Sequence, residues 1–184
     1  MPPSEEKHMK EKKDGSMSSE AQQWARELES LGRDVLAQCE DCPEFFHWSP
    51  PLSDVSSLCT LATQLIHEVE WWVLVQIGER RLIEDQDSRY PFQSTLADLR
   101  ACYEEWIQEV HTLLDPLPDA FLDLYVGSRF GASTSKIKTE LPTVRTCLFR
   151  AMERCAVLLG RIEVIHQLMP DHAPPSQELQ AQVK

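Results

Sequence analysis

The chain has 184 residues, 42% of them hydrophobic, and its 30 acidic and 18 basic side chains give a formal net charge of −12. This length is typical of one domain, and the composition supports a core without being membrane-like. The negative charge repels a phosphate backbone or an anionic lipid surface, so we expect neither nucleic-acid nor membrane partners. There is no uninterrupted run of about 18 apolar residues and no apolar stretch after the N-terminal charges. We therefore expect a cytoplasmic protein.

The first helix is predicted to follow a disordered tail. Residues 1–19 are charged and polar and have almost nothing to bury. From Glu20 an apolar face recurs at helical spacing and stops before Pro43, which a helix cannot pass. The positions on this face are Trp24, Leu28, Leu31 and Val35.

Cys39, Cys42 and His47 form a C-x2-C-x4-H string around the end of this helix. Thiolate and imidazole bind zinc, but a closed structural site needs four ligands, and no second cysteine pair follows at finger spacing. In a chain without export signals, small buried thiols are commoner than disulfides. We therefore favour core thiols for the six cysteines and leave a role for this string open.

Two more helices are indicated by apolar faces at spacings of three and four. The second is predicted from the capping pair Ser53-Asp54 to Gly78, and the third begins near Leu96 and is ended by Pro116. The principal apolar positions are Leu58, Leu61, Leu65, Val69 and Trp72 in the second helix, and Leu99, Tyr103, Trp106, Val110 and Leu113 in the third.

The last helix, between Leu141 and Met169, has the most regular pattern. Ahead of it, residues 119–126 are predicted to form one or two helical turns and residues 127–140 a long mobile loop, while residues 171–184 form a polar tail. A long apolar stripe is stable only when other helices cover it, so the predicted fold is an all-α four-helix bundle. The stripe consists of Val144, Leu148, Ala151, Cys155, Leu158, Ile162, Ile165 and Met169.

Two of these helices carry motifs that resemble a known family. Residues Leu65–Trp72, with the sequence LIHEVEWW, place a histidine ahead of an aromatic pair, and residues Thr143–Glu163 form a helix with a glycine near its end. Both are similar to the DinB/YfiT-like superfamily, whose last helix carries His or Glu, three residues, His, an apolar residue and Gly. The approach at Trp48–Pro51 is similar too. The resemblance implies a DinB-like bundle over residues 20–170 with an up-down-down-up helix order and disordered tails.

In that family, one ligand from helix two and two from helix four hold zinc or nickel and leave positions open for water or a thiol. His67 matches the first ligand, and Arg154 and Leu158 occupy the other two positions when the motifs are aligned through Gly160. A guanidinium repels a cation and an alkyl chain has no lone pair, so neither can bind the metal. His67 is then the only retained metal-ligand position. Without the resemblance, it is a partly exposed or hydrogen-bonded side chain opposite the apolar stripe.

Other side chains offer a compensating metal site. Glu163 and His166 form an E-x-x-H pair, the spacing of di-metal bundles, but those sites need a second pair and further carboxylates. A relocated site would draw on His67, Glu70, His111 and His166, although solvated helix faces explain the same residues. No nucleophile elbow, P-loop or dinucleotide fingerprint occurs, so no catalytic residue is assigned.

Three functional hypotheses follow. The first is a DinB-like bundle that has lost its three-ligand metal site and is a non-catalytic binding or structural module without a cofactor. The alternative is a metal- or thiol-cofactor-dependent transferase, isomerase or hydrolase of that superfamily, with a relocated zinc or nickel site. The third is an unrelated helical protein with tryptophan-rich binding surfaces. A small molecule in the bundle cleft and a homodimer are both compatible with the first hypothesis.

Overall fold

The computed structural model describes residues 19–50, 55–80, 95–126 and 141–169. Within these ranges the chain is all-α, as predicted, and none of its helices is long and apolar enough to cross a membrane. The predicted tails, apart from Ser19, and the predicted loop at 127–140 lie outside the described residues. The helices are α1 (Glu20–Asp41), α2 (Leu58–Val69), α3 (Leu96–Leu114) and α4 (Val144–Leu168).

The predicted start of α1 is confirmed, and its capping explains why it lies there. The Ser19 hydroxyl accepts a hydrogen bond from the Gln22 backbone N–H, and the Gln22 side chain accepts one from the Ser19 N–H, each at 3.2 Å. This capping box satisfies two of the donors that a helix N-terminus leaves unpaired. At the other end, Pro43 opens a short 3₁₀ turn, Pro43–Phe45.

The second helix starts later than predicted. Its N-cap is Ser57, whose hydroxyl accepts a hydrogen bond from the Thr60 backbone N–H, rather than Ser53-Asp54. Several capping residues precede this apolar run, and the one that directly adjoins it forms the cap. Residues 55–57 remain non-helical.

Beyond α2 the chain continues as a π-helical turn, Glu70–Val75. This helical segment ends near Gly78, where the end of the second helix was predicted. The Gly78 N–H donates to the Val73 carbonyl at 2.9 Å. A β-carbon at Gly78 would lie 2.5 Å from the Leu74 carbonyl oxygen, so glycine is required for this close turn.

The segment after α3 differs in part from the predicted helical turns. Asp119–Phe121 forms a 3₁₀ turn, but Tyr125 then pairs in antiparallel fashion with Thr143. The Val144 N–H donates to the Leu124 carbonyl at 2.9 Å. This pairing fixes the entrance to α4.

The four helices share one hydrophobic core. The α1 helix packs mainly on α3 and α4, while α2 packs mainly on α4. Gly32 makes room for Trp106, because a β-carbon there would lie 2.7 Å from the indole ring. The Tyr103 hydroxyl donates to the Ala62 carbonyl at 3.0 Å. The predicted stripe of α4 is confirmed, since seven of its eight side chains are buried and Met169 packs partly buried against them.

Candidate functional site

His67 lies half-buried in the last turn of α2, immediately before the π-helical turn. The helix face around it is not a solvated polar face, because Thr63, Glu70 and Leu74 are all buried. A helical wheel of constant period places His67 on a polar face opposite the apolar stripe of α2. The structure differs because other elements cover α2 on more than one side. In addition, the π turn shifts the register of the residues that follow it. The residue that matches the family's first ligand therefore lies beside the interior.

The two α4 positions that the DinB-like resemblance aligns with metal ligands lie one turn apart and differ in environment. Arg154 is exposed, whereas Leu158 is 3% exposed and belongs to the core. Burial and the nearby Glu68 carboxylate raise the pKa of Cys155, one residue after Arg154, to about 12. Helices α2 and α4 pack against each other, and Leu158 presents a packed alkyl chain to the shared interior.

The side chains considered for a compensating metal site are not brought together. The Nε2 atom of His111 lies 2.9 Å from a Glu29 carboxylate oxygen, and its Nδ1 atom lies 3.2 Å from Asp115. His166 contacts Cys42, with 4.0 Å between the Nδ1 and Sγ atoms. Its Nε2 atom is buried and has no hydrogen-bond partner among the described residues.

Glu70, the remaining candidate ligand, pairs with Arg80 at 3.5 Å instead. Within the described ranges, no three His, Cys, Asp or Glu side chains form a group that could hold a metal ion. Glu163, the partner of His166 in the E-x-x-H pair, is exposed. The expectation that these residues could form a relocated site is therefore not met in this part of the chain.

The C-x2-C-x4-H string is also dispersed. Burial, with Cys59 and Glu40 nearby, raises the pKa of Cys39 to about 12. Cys42 contacts His166, and the exposed His47 ring lies edge-on to Phe46 with ring centroids 4.8 Å apart. Every cysteine of the chain lies in the described ranges and is a free thiol, and all except Cys102 are buried. The prediction of core thiols is confirmed.

An ion cluster that the sequence did not reveal, built around the buried Glu70, joins the π-helical turn to α3. Arg80 pairs with Glu70 of the π-helical turn and with Glu109 of α3. The Glu70 side chain is 3% exposed and that of Arg80 20% exposed. A charge buried this deeply needs an opposite charge, and Arg80 supplies it. The signal in the sequence was a glutamate within an apolar helix and an arginine just past the terminal Gly78.

An apolar groove, also missed, lies between residues 55–61 and the C-terminal half of α4. Its volume is about 540 Å³. On α4, Val157, Val164 and Leu168 are 49%, 52% and 45% exposed. They form a second apolar stripe at spacings of seven and four, outside the core stripe. The lining consists of Val55, Ser56, Leu61, Val157, Gly160, Arg161, Val164, Ile165 and Leu168.

Tryptophans do not form a comparable surface. Trp106 is buried, and Trp24, Trp48 and Trp72 pack half-buried against the core. Only Trp71 is exposed among the tryptophans, all of which lie in the described ranges. On α4 the exposed large apolar side chains are Phe149 and three aliphatic residues, Val157, Val164 and Leu168.

Comparison of the chain with family models, with curated proteins and with solved structures finds no match in any of the three.

Proposed function

We propose that the chain is a DinB-like four-helix bundle that has lost the family's metal site and is a non-catalytic binding or structural module. The observation that carries this proposal is Leu158, a core side chain at a position where the family has a metal ligand. Arg154, one turn earlier, is a permanent cation. His67 alone cannot hold a divalent ion against water.

The proposed up-down-down-up order is supported by contacts near the ends of α1 and α4. Arg145 in the first turn of α4 pairs with Glu20 in the first turn of α1. At the other end, Cys42 just after α1 contacts His166 in the last turn of α4. These contacts are those of two helices that run in the same direction.

Contacts of α3 support the remaining directions. Arg100 near the start of α3 pairs with Glu40 near the end of α1, and His111 near the end of α3 pairs with Glu29. These contacts are those of two opposed helices. Contacts between α2 and α3 are those of parallel neighbours, namely Tyr103 with Ala62 and Leu113 with Gly78.

Metal content tests the functional proposal. The purified chain, dialysed against zinc or nickel and then washed, should retain well below one equivalent of metal by elemental analysis, because Leu158 and Arg154 supply no lone pair. The matched control is His67→Ala, which should retain the same trace amount. Stoichiometric metal in the parent would contradict the proposal and restore the enzyme alternative.

A further inference from the structure

We propose that the groove between residues 55–61 and α4 is a docking surface for an amphipathic helix with an acidic edge from a partner protein. None of the three DinB-like ligand positions lines the groove, although Arg154 flanks it on α4. Docking in this groove is independent of the loss of the metal site, because it is tested by peptide binding and not by metal content.

The apolar part of the surface has the form of a helix-binding groove. Val157, Val164 and Leu168 project from one face of α4 and are each about half exposed, and Val55 and Leu61 line the groove from the side of α2. A β-carbon added to Gly160 would have no neighbour within 4 Å, so a partner can approach α4 closely there. Exposed apolar patches with a polar rim mark interaction sites, and an amphipathic helix fills such a groove with residues at helical spacing.

The charge on this surface selects an acidic partner. Arg161 lines the groove, and Arg154 lies two turns earlier on the same side of α4. Neither arginine forms an ion pair within the part of the chain that the structure describes. In a chain with a formal charge of −12, two such cations beside an exposed apolar groove form a local positive edge that favours an acidic partner.

The shape of the groove favours a helix over a small molecule. A small-molecule site encloses most of its ligand, whereas this groove is open along side chains that are about half exposed. From Val157 to Leu168 it follows α4 for about 16 Å, the length of three helical turns.

The same charges disfavour a second copy of this chain. A twofold interface places the same patch of both copies together, so the arginines of both copies would meet and repel one another.

The test uses a synthetic helical peptide of about 18 residues, with leucines along one face and glutamates along its edges. A matched peptide carries lysines in place of the glutamates. Both are titrated into the full chain with labelled methyl groups at about 0.15 M salt, which screens the net charge of the chain beyond about 8 Å. The glutamate peptide should shift the methyl resonances of Val157, Val164 and Leu168 and bind about tenfold more tightly than the lysine peptide.

Two variants and a control locate the binding. Val164→Glu should abolish binding, and Arg161→Glu should reverse the preference, so that the lysine peptide binds more tightly. Phe149→Glu is the matched control, because Phe149 is a 60% exposed residue of the same helix outside the groove, and it should leave both affinities unchanged.

Three results would overturn the proposal. The first is equal affinity for the two peptides, or a preference that Arg161→Glu does not reverse. The second is a parent chain that sediments as a dimer and becomes monomeric in Val164→Glu, since a second copy would then occupy the groove. The third is magnetisation transfer in the parent between the Val164 methyl groups and residues 170–184, since the chain's own C-terminal segment would then cover it.

Discussion

Leu158 is a core residue of α4 whose alkyl chain cannot bind a metal ion. It lies on the stripe that the other helices cover, and it occupies the position that the proposed DinB-like alignment assigns to a metal ligand. Its neighbour Val157 lies on the opposite side of the stripe boundary and is about half exposed. A single step along the helix thus separates a core position from a surface position, because successive side chains are about 100° apart.

We expect Leu158→Ala to lower the free energy of unfolding by about 2–5 kcal/mol, because it removes buried methyl groups and leaves a cavity. Chemical denaturation of the full chain measures the change. Val157→Ala is the matched control and should cost no more than about 0.5 kcal/mol, because the Val157 side chain is about half exposed. A loss below about 0.5 kcal/mol for Leu158→Ala would mean that this side chain does not lie in the core.

At the scale of helices, the caps and prolines explain which predictions succeeded. The starts of α1 and α3 were predicted closely because they were assigned directly after Ser19 and Thr95, which form the caps. The start of α2 was misplaced because it was assigned to Ser53-Asp54, ahead of Ser57, which adjoins the apolar run and forms the cap. The π-helical turn at Glu70 was not predictable from a wheel of constant period, and it brings a carboxylate into the interior.

We expect Arg80→Met to cost about 3 kcal/mol of stability, because it leaves the buried Glu70 carboxylate without its guanidinium partner. Adding Glu70→Gln should recover part of this loss by removing the buried charge. Arg33→Met is the control, since the exposed pairs of Arg33 should contribute less than about 1 kcal/mol. Equal losses for Arg80→Met and Arg33→Met in thermal unfolding would show that the cluster does not join α2 to α3 energetically.

For the whole molecule, the sequence predicts the fold class better than it predicts the exposed apolar groove. The all-α class and the α4 stripe follow from periodicity, because core residues must repeat with the helix. The groove could not be predicted in this way, because exposed aliphatic residues at Val157, Val164 and Leu168 have no effect on the core pattern. Their meaning depends on what residues 55–61 leave uncovered, which is a property of tertiary packing.

Placing histidines at the two aligned positions of α4 tests the central proposal, that this is a DinB-like bundle whose metal site has decayed. Arg154→His with Leu158→His places two imidazoles four residues apart on α4, and His67 would complete a three-nitrogen site suited to zinc or nickel. The metal-free double variant should be less stable than the parent, because a polar ring replaces a buried leucine. Saturating zinc should recover part of that loss by binding the folded state.

The measurement is the thermal unfolding midpoint of the double variant during a zinc titration. Arg150→His with Arg154→His is the control, because it places an exposed imidazole pair at the same spacing without Leu158. We expect zinc to raise the midpoint of the restored variant more than that of this control or of the parent, and His67→Ala to remove the additional gain. A gain no larger than the control's, or one that survives His67→Ala, would contradict the claim that His67 faces these two positions of α4.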